Sequence, residues 1–220
     1  MEPQIETEPQ IKMDPRECIK LSKGLSWLLR HHVVDQGLTI TSDGYVLCLD
    51  VLKLQKFNKF TLENIQYVVN TNDKQRFALK EENGRWYIRA NQGHSHGVAS
   101  HIKQEELLTK LIDPLDLVVH GTTLKAYDQI KVSGLKKIGR SHIHFAISDN
   151  LVTGNQAQSG IRFSSRILIY LDMKSAMADG IEFYMSDNKV VLSEGIGSEG
   201  VIDPKYFSKV IDRTTGNILS

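Results

Sequence analysis

The chain has 220 residues, 40% of them hydrophobic and 24% charged, with 27 basic against 26 acidic side chains, a composition that suits one large or two small globular domains. No run is apolar enough to span a membrane, and the opening MEPQIETEPQ is acidic and lacks the apolar stretch of a secretory leader. Two cysteines, Cys18 and Cys48, exclude a disulfide framework, so reduced thiols and an intracellular protein of the cytoplasm, the nucleus or both are expected.

The charge is uneven along the chain. Residues 1–17 carry −3, residues 18–98 carry +4 and residues 99–220 are balanced. A polyanion would dock on the middle segment, although four excess charges are a modest bias.

Residues 1–17 read as a disordered tail whose start is rich in Pro, Glu and Gln. A helix is predicted at about 18–33, with Ile19, Leu21, Leu25, Leu28 and Leu29 as its apolar stripe and Asp35-Gln36-Gly37 as its stop. It ends in Arg30, His31 and His32. Three cation-capable side chains there either meet the helix dipole or form an anion pocket. Next, LTITSDGYVLCL reads as two extended runs around Ser42-Asp43-Gly44. TLENIQYVVNTND reads as a helix capped by Thr61, and QRFALKEENGRWYIRAN as a hairpin turning at Asn83-Gly84. Helices followed by a hairpin suggest a winged-helix-like module, a common holder of nucleic acid. KQEELLTKLI is a short helix, and Asp113-Pro114 closes a linker spanning 99–114.

The second half alternates strands and turns. DLVVH, SHIHFAI, RILIYLD, IEFYMS and KVVLSEG are predicted strands. LKAYDQIKVSG is a helix closed by Gly134, and SAMADG is a helical turn. So few helices among the strands argue against βαβ winding and for an α+β fold with an antiparallel or split sheet.

Four stretches carry chemistry. In GRSHIHFA, strand alternation puts Arg140, His142 and His144 on one face and Ile143 and Phe145 on the other; a solvated face is as good an explanation as a site. His-x-His on a strand also suits zinc, but no cysteine pair or His-Glu-x-x-His accompanies it. In DKQRFA, Lys74 and Arg76 would share a strand face and suit a phosphate dianion, or simply face solvent and Asp73. RWYIRANQGHSHG interleaves Arg85, Tyr87 and Arg89 with Trp86 and Ile88, as RNA stacking and phosphate contacts would and as core packing would too. The polar NQGHS after it reads as a loop that must approach something closely. In VVHGTT the glycine of His120-Gly121-Thr122 would let a ligand near the backbone. No P-loop and no G-x-G-x-x-G is present.

Seven segments matter together: LSKGLSWLLRHH, GLTITSDGYV, NDKQRFALK, IRANQGHSHGV, HGTTLKAYDQIKVSGLKKIGRSHIHFA, SGIRFSSRILIYLD and VVLSEGIGSEGVIDPKYF. In this order they resemble the NAD-dependent tRNA 2′-phosphotransferases across nearly all of residues 18–207. The resemblance implies a winged-helix-like RNA lobe at 18–98 and an ADP-ribosyltransferase-like, split-sheet NAD lobe at 115–220. It implies a two-step reaction on RNA bearing an internal 2′-phosphate, such as spliced tRNA. The phosphate attacks C1″ of the nicotinamide ribose of NAD and expels nicotinamide. The ribose O2″ then attacks phosphorus, leaving 2′-hydroxyl RNA and ADP-ribose 1″,2″-cyclic phosphate.

By the same resemblance the family's Arg-His-Arg-Arg set falls on Arg30, His31, Arg76 and Arg140, and its second-step lysine on Lys74. His120, Gly121 and Thr122 fill the NAD-binding His-Gly-Thr motif; Arg140, His142 and His144 complete that wall. Ser141 departs from the asparagine common at its position. The arginines suit a phosphate clamp, and His31 is a phosphate donor or a general acid. Arg85, Arg89 and Lys80 are candidates for RNA-backbone contacts. Expected partners are this RNA and NAD, with no metal, no membrane and a monomeric state. Two alternatives remain at this point: a mono-ADP-ribosyltransferase acting on nucleic-acid ends, and a non-catalytic RNA-binding protein.

Overall fold

A computed structural model describes residues 13–148, 160–162 and 164–219. Most of the predicted tail, residues 1–12, lies outside the described residues.

The first helix, α1 (Pro15–Trp27), starts earlier than the apolar stripe suggests. Asp14 accepts the Arg16 and Glu17 amides, and Pro15 sits where a missing amide is harmless. It then widens into a π-turn, Leu28–His32, instead of running on as α-helix. Strand β1 (Val46–Leu47) leads into α2 (Cys48–Lys53). The expected second strand here is two residues long, because Cys48 and Val51, three apart, both enter the core. Residues 38–41, predicted as extended, form no strand; the Thr41 hydroxyl accepts the Tyr45 amide across the turn. Helix α3 (Leu62–Asn70) is closed by a reciprocal box between Thr61 and Asn64. Strands β2 (Phe77–Glu82) and β3 (Arg85–Ala90) form the hairpin, with Asn83 and Gly84 both at positive φ, as a type I′ turn requires. The sheet order is β1-β3-β2. Leu21, Leu25, Leu28, Val51, Ile65 and Ile88 build its core. Cys48 is buried there, and burial pushes its thiol up to about 12; both cysteines are free.

Two short helices follow, α4 (His96–Ala99) and α5 (Gln104–Leu107), then β4 (Thr109–Lys110), β5 (Val119–Thr122), α6 (Leu124–Ser133), β6 (Leu135–Lys136) and β7 (Ile143–Ala146). Beyond them lie β8 (Ile167–Leu171), α7 (Met173–Ala178), β9 (Tyr184–Met185), β10 (Val190–Ser193), β11 (Val201–Ile202) and β12 (Phe207–Asp212). Seven of these strands pair in the order β12-β8-β5-β7-β10-β9-β4, every pairing antiparallel; β6 and β11 form a separate pair. The fold is α+β. Phe145, Ile167, Ile169, Phe183 and Val191 fill the second core. The 99–114 segment carries α5 and β4, and Leu107 and Leu108 pack on Val190 and Leu192.

Polar contacts bind the two sheets. Arg89, nearly buried, donates to Asp187 at 2.5 Å and to the carbonyl of Asp43 at 2.9 Å. Asn188 donates to the Lys74 carbonyl at 2.9 Å, and the Ser141 amide to the His94 carbonyl at 3.2 Å. Arg89 is therefore a structural bridge, unavailable as an RNA contact. Lys80, half-buried, pairs with Asp43 at 2.8 Å; of the three candidates only Arg85 is exposed. Asp187→Ala removes a charge-assisted bond from a nearly buried guanidinium and should cost about 1–2 kcal/mol. At about 2–4 °C per kcal/mol for a chain of this size, thermal melting should show a Tm lower by about 2–8 °C. An unchanged Tm would remove Arg89 from the interface account.

Candidate active site

The π-turn decides where Arg30 and His31 go. A wider turn shifts the side chains that follow it around the helix axis. His32 leaves the site: its Nδ1 meets Asp35 at 3.0 Å and its ring stacks on Trp27. Arg30 instead packs on Gly93, whose Cβ, if present, would stand 3.5 Å from the guanidinium carbon. Gly93 has φ +88°, so only glycine is comfortable there. Ser95 donates from both its amide and its hydroxyl to the Arg30 carbonyl. The NQGHS loop thus approaches Arg30.

Lys74 and Arg76 do not share a strand face. They precede β2 in a turn where Gln75 takes φ +43° and Asn72 accepts the Arg76 amide and guanidinium. The turn nonetheless aims both inward. Lys74 Nζ donates to the Ile161 carbonyl at 3.0 Å, and the Arg76 charge is felt at Arg30. Arg140 also lies outside a strand, because β7 begins only at Ile143. Arg140, His142 and His144 still line one cleft of 550 Å³ with His120, Gly121 and Thr122.

Electrostatics define the cluster. Burial first, then the cations of Arg140 and Arg76, bring Arg30 down to about 10. Burial also lowers Arg76, and it lowers Arg140 with help from Arg162. His31 is pulled down by burial and then by Arg140, Arg30 and His32. Among the described residues no carboxylate acts on Arg30, His31, His94 or His144. Buried Arg30 Nε and His144 Nε2 have no hydrogen-bond partner among the described residues. Concentrated positive charge around a buried, unsatisfied Arg30 donor, with Asp73 acting on Arg76 alone of the three arginines, suits an anion.

In the cleft, His120 Nδ1 meets the His144 carbonyl at 2.9 Å. A carbonyl only accepts, so Nδ1 carries the proton. Burial keeps the ring neutral, which leaves Nε2 an acceptor. Packing also demands a glycine at 121: a Cβ there would stand 2.4 Å from Ile161 Cγ2 and 2.9 Å from Ser165 Oγ. His142 is held by Gln104 at 2.9 Å. Among the described residues no group of three or more His, Cys, Asp or Glu is placed to hold a metal.

Sequence reasoning passed over His94 and Arg162. The NQGHS loop signalled close approach without naming His94; Arg162 sits in SGIRFSSRILIYLD, which entered only as one of the segments that carry the family resemblance. His94 is enclosed, and burial followed by Arg30, His142 and His31 takes it down to about 3. The unfolded imidazole titrates near 6.5. Above that pH neither state binds the proton. As pH falls below it, only the unfolded chain does, so stability drops by about 1.4 kcal/mol per unit for each such ring. Melting temperatures in phosphate-free buffer should therefore fall between pH 7 and pH 5, with a shallower fall for His94→Gln. Equal slopes would show that His94 is not buried neutral.

A family model described as RNA 2′-phosphotransferase, Tpt1 / KptA family, matches residues 16–195. The chain is 39% identical over 193 residues to tRNA 2′-phosphotransferase 1 of Danio rerio, covering 87% of this chain and 84% of that protein. It is 41% identical over 202 residues to tRNA 2′-phosphotransferase 1 of Mus musculus, covering 90% and 79%. A putative tRNA 2′-phosphotransferase of Schizosaccharomyces pombe is 40% identical over 217 residues; the match covers 97% of this chain but 56% of that protein, so the chain spans little more than half of that relative.

Proposed function

The chain belongs to the RNA 2′-phosphotransferase, Tpt1 / KptA family, and from that premise we propose how its own residues carry the reaction. It is a transferase that acts on the 2′-phosphate of tRNA. The acceptor is NAD. Residues 18–98 serve as a winged-helix-like RNA lobe and residues 115–220 as an ADP-ribosyltransferase-like NAD lobe, with 99–114 between them.

The observation that carries this is the cationic cluster of Arg30, Arg76 and Arg140 with no carboxylate partner at Arg30. A 2′-phosphate brings nearly two negative charges, and guanidinium forks bind its oxygens in pairs. Arg30 and Arg140 hold the phosphate so that one oxygen is the nucleophile toward C1″ of the nicotinamide ribose, and nicotinamide leaves neutral. Orientation supplies much of the rate. Lys74 and Arg76 then stabilise the charge that grows on phosphorus when O2″ attacks it. His31, neutral in the free protein, gains a proton beside the dianion and donates it to the departing RNA 2′-oxygen.

The cleft fits the dinucleotide. His120 Nε2 offers an acceptor for a ribose hydroxyl, His144 Nε2 is unpartnered among the described residues on a ring that feels the Arg140 charge, and Arg140 and Arg162 suit a pyrophosphate. When bound, NAD supplies the electrophilic ribose carbon. The test is nicotinamide release with one oligoribonucleotide in 2′-phosphorylated and 2′-hydroxyl forms. Release should follow only the phosphorylated RNA; equal release from both would contradict the phosphate as nucleophile.

A further inference from the structure

Among the described residues the 550 Å³ cleft is walled by members of 120–144 and by Gly160, Arg162, Ser164 and Ser165. A second cavity, of 320 Å³, is walled by residues 92–108 on one side and by Lys137, Ser141, His142, Leu192 and Glu194 on the other. It shares only His142 with the cleft. Its size lies at the lower edge of the roughly 300–1,000 Å³ typical of small-molecule sites.

The polar atoms of this cavity are unusual. Gln92 Oε1, His94 Nε2 and Ser141 Oγ are buried without hydrogen-bond partners. Three of the wall residues thus carry hydrogen-bonding capacity that the fold leaves unused among the described residues. Ala99, Leu107 and Leu192 give it apolar walls, and His94 and His142 give it flat imidazoles.

We propose that this cavity receives the nucleobase of the RNA nucleotide that carries the 2′-phosphate. The inference rests on the phosphotransfer reading above. Base and phosphate hang from adjacent ribose carbons, C1′ and C2′, so a phosphate gripped by the arginines puts its base next door. Two wall residues of the cavity adjoin those arginines, which do not themselves line it. Gly93 lies under the Arg30 guanidinium, and Ser141 follows Arg140 in the chain. The cleft on the other side of His142 is taken by the dinucleotide. An unstacked base held between apolar and imidazole surfaces, with its edge hydrogen-bonded, is the usual way proteins take single-stranded RNA. Gln92 and Glu194 accept from amino groups, and Ser141 both donates and accepts.

The test uses the full chain and two 2′-phosphorylated oligoribonucleotides that differ only at the phosphorylated nucleotide, which in one bears hydrogen in place of its base. Loss of the base should raise the KM for RNA about tenfold, the effect expected for one lost base contact, with the KM for NAD unchanged. Ala99→Phe, which fills the cavity from α4, should raise the KM for the base-bearing RNA to the abasic value and leave the abasic RNA unaffected. Equal KM values for the two RNAs on the unaltered protein would mean a cavity filled by water and would overturn the proposal. A raised KM for NAD in Ala99→Phe would assign the cavity to the dinucleotide and also overturn it. Phosphate loss from neither RNA would overturn the phosphotransfer reading and this inference with it.

Discussion

Arg30→Ala should lower kcat/KM for 2′-phosphorylated RNA by about a thousandfold, the upper range for one transition-state donor in an enclosed site, or about 4 kcal/mol. Arg30 is the most buried arginine of the cluster, it stands between Arg76 and Arg140, and its Nε has no internal partner. Its charge therefore has no task within the free protein. Arg30→Lys should not restore the activity, because an ammonium cannot present a fork to two phosphate oxygens. Removing a buried, uncompensated cation relieves repulsion, so the variant should melt no lower than the parent once lost packing on Gly93 is offset. A variant that melts normally and keeps full activity would show that Arg30 does not hold the phosphate.

Arg76→Ala and Lys74→Ala should split the two steps. Both residues come from the turn before β2, and neither is needed to form the nucleophile. Loss of either should let ADP-ribosylated RNA accumulate to a large fraction of the input while nicotinamide release continues. About a hundredfold slowing of cyclic-phosphate formation is expected from one missing donor. Gel or mass analysis of the RNA over time reads this directly. If nicotinamide release stops instead, both residues act in the first step.

How far the sequence carried these assignments depends on the residue. Strand alternation grouped Arg140, His142 and His144, and all three do line one cleft; the reason is partly different, since Arg140 reaches it from a turn. The Lys74–Arg76 pair was grouped on a strand face that does not exist. A left-handed Gln75 replaces it, and glutamine carries no signal for positive φ. The hairpin was legible because Asn-Gly states its turn type locally. Helix α2 was not, because Cys48–Lys53 is too short to display a period. The π-turn was hidden for the same reason: an extra residue in one turn leaves the apolar pattern intact but moves Arg30 and His31. His94 was missed because burial and proximity to Arg30 depend on tertiary contacts across some sixty residues. Family resemblance named Arg30, Arg76 and Arg140 together where periodicity left three separate basic spots.

The most direct measurement incubates the protein with a 2′-phosphorylated oligoribonucleotide and NAD and identifies every product by mass spectrometry. The expected products are 2′-hydroxyl RNA, nicotinamide and ADP-ribose 1″,2″-cyclic phosphate in equal amounts. RNA that keeps its 2′-phosphate while NAD is bound would contradict the proposed transfer.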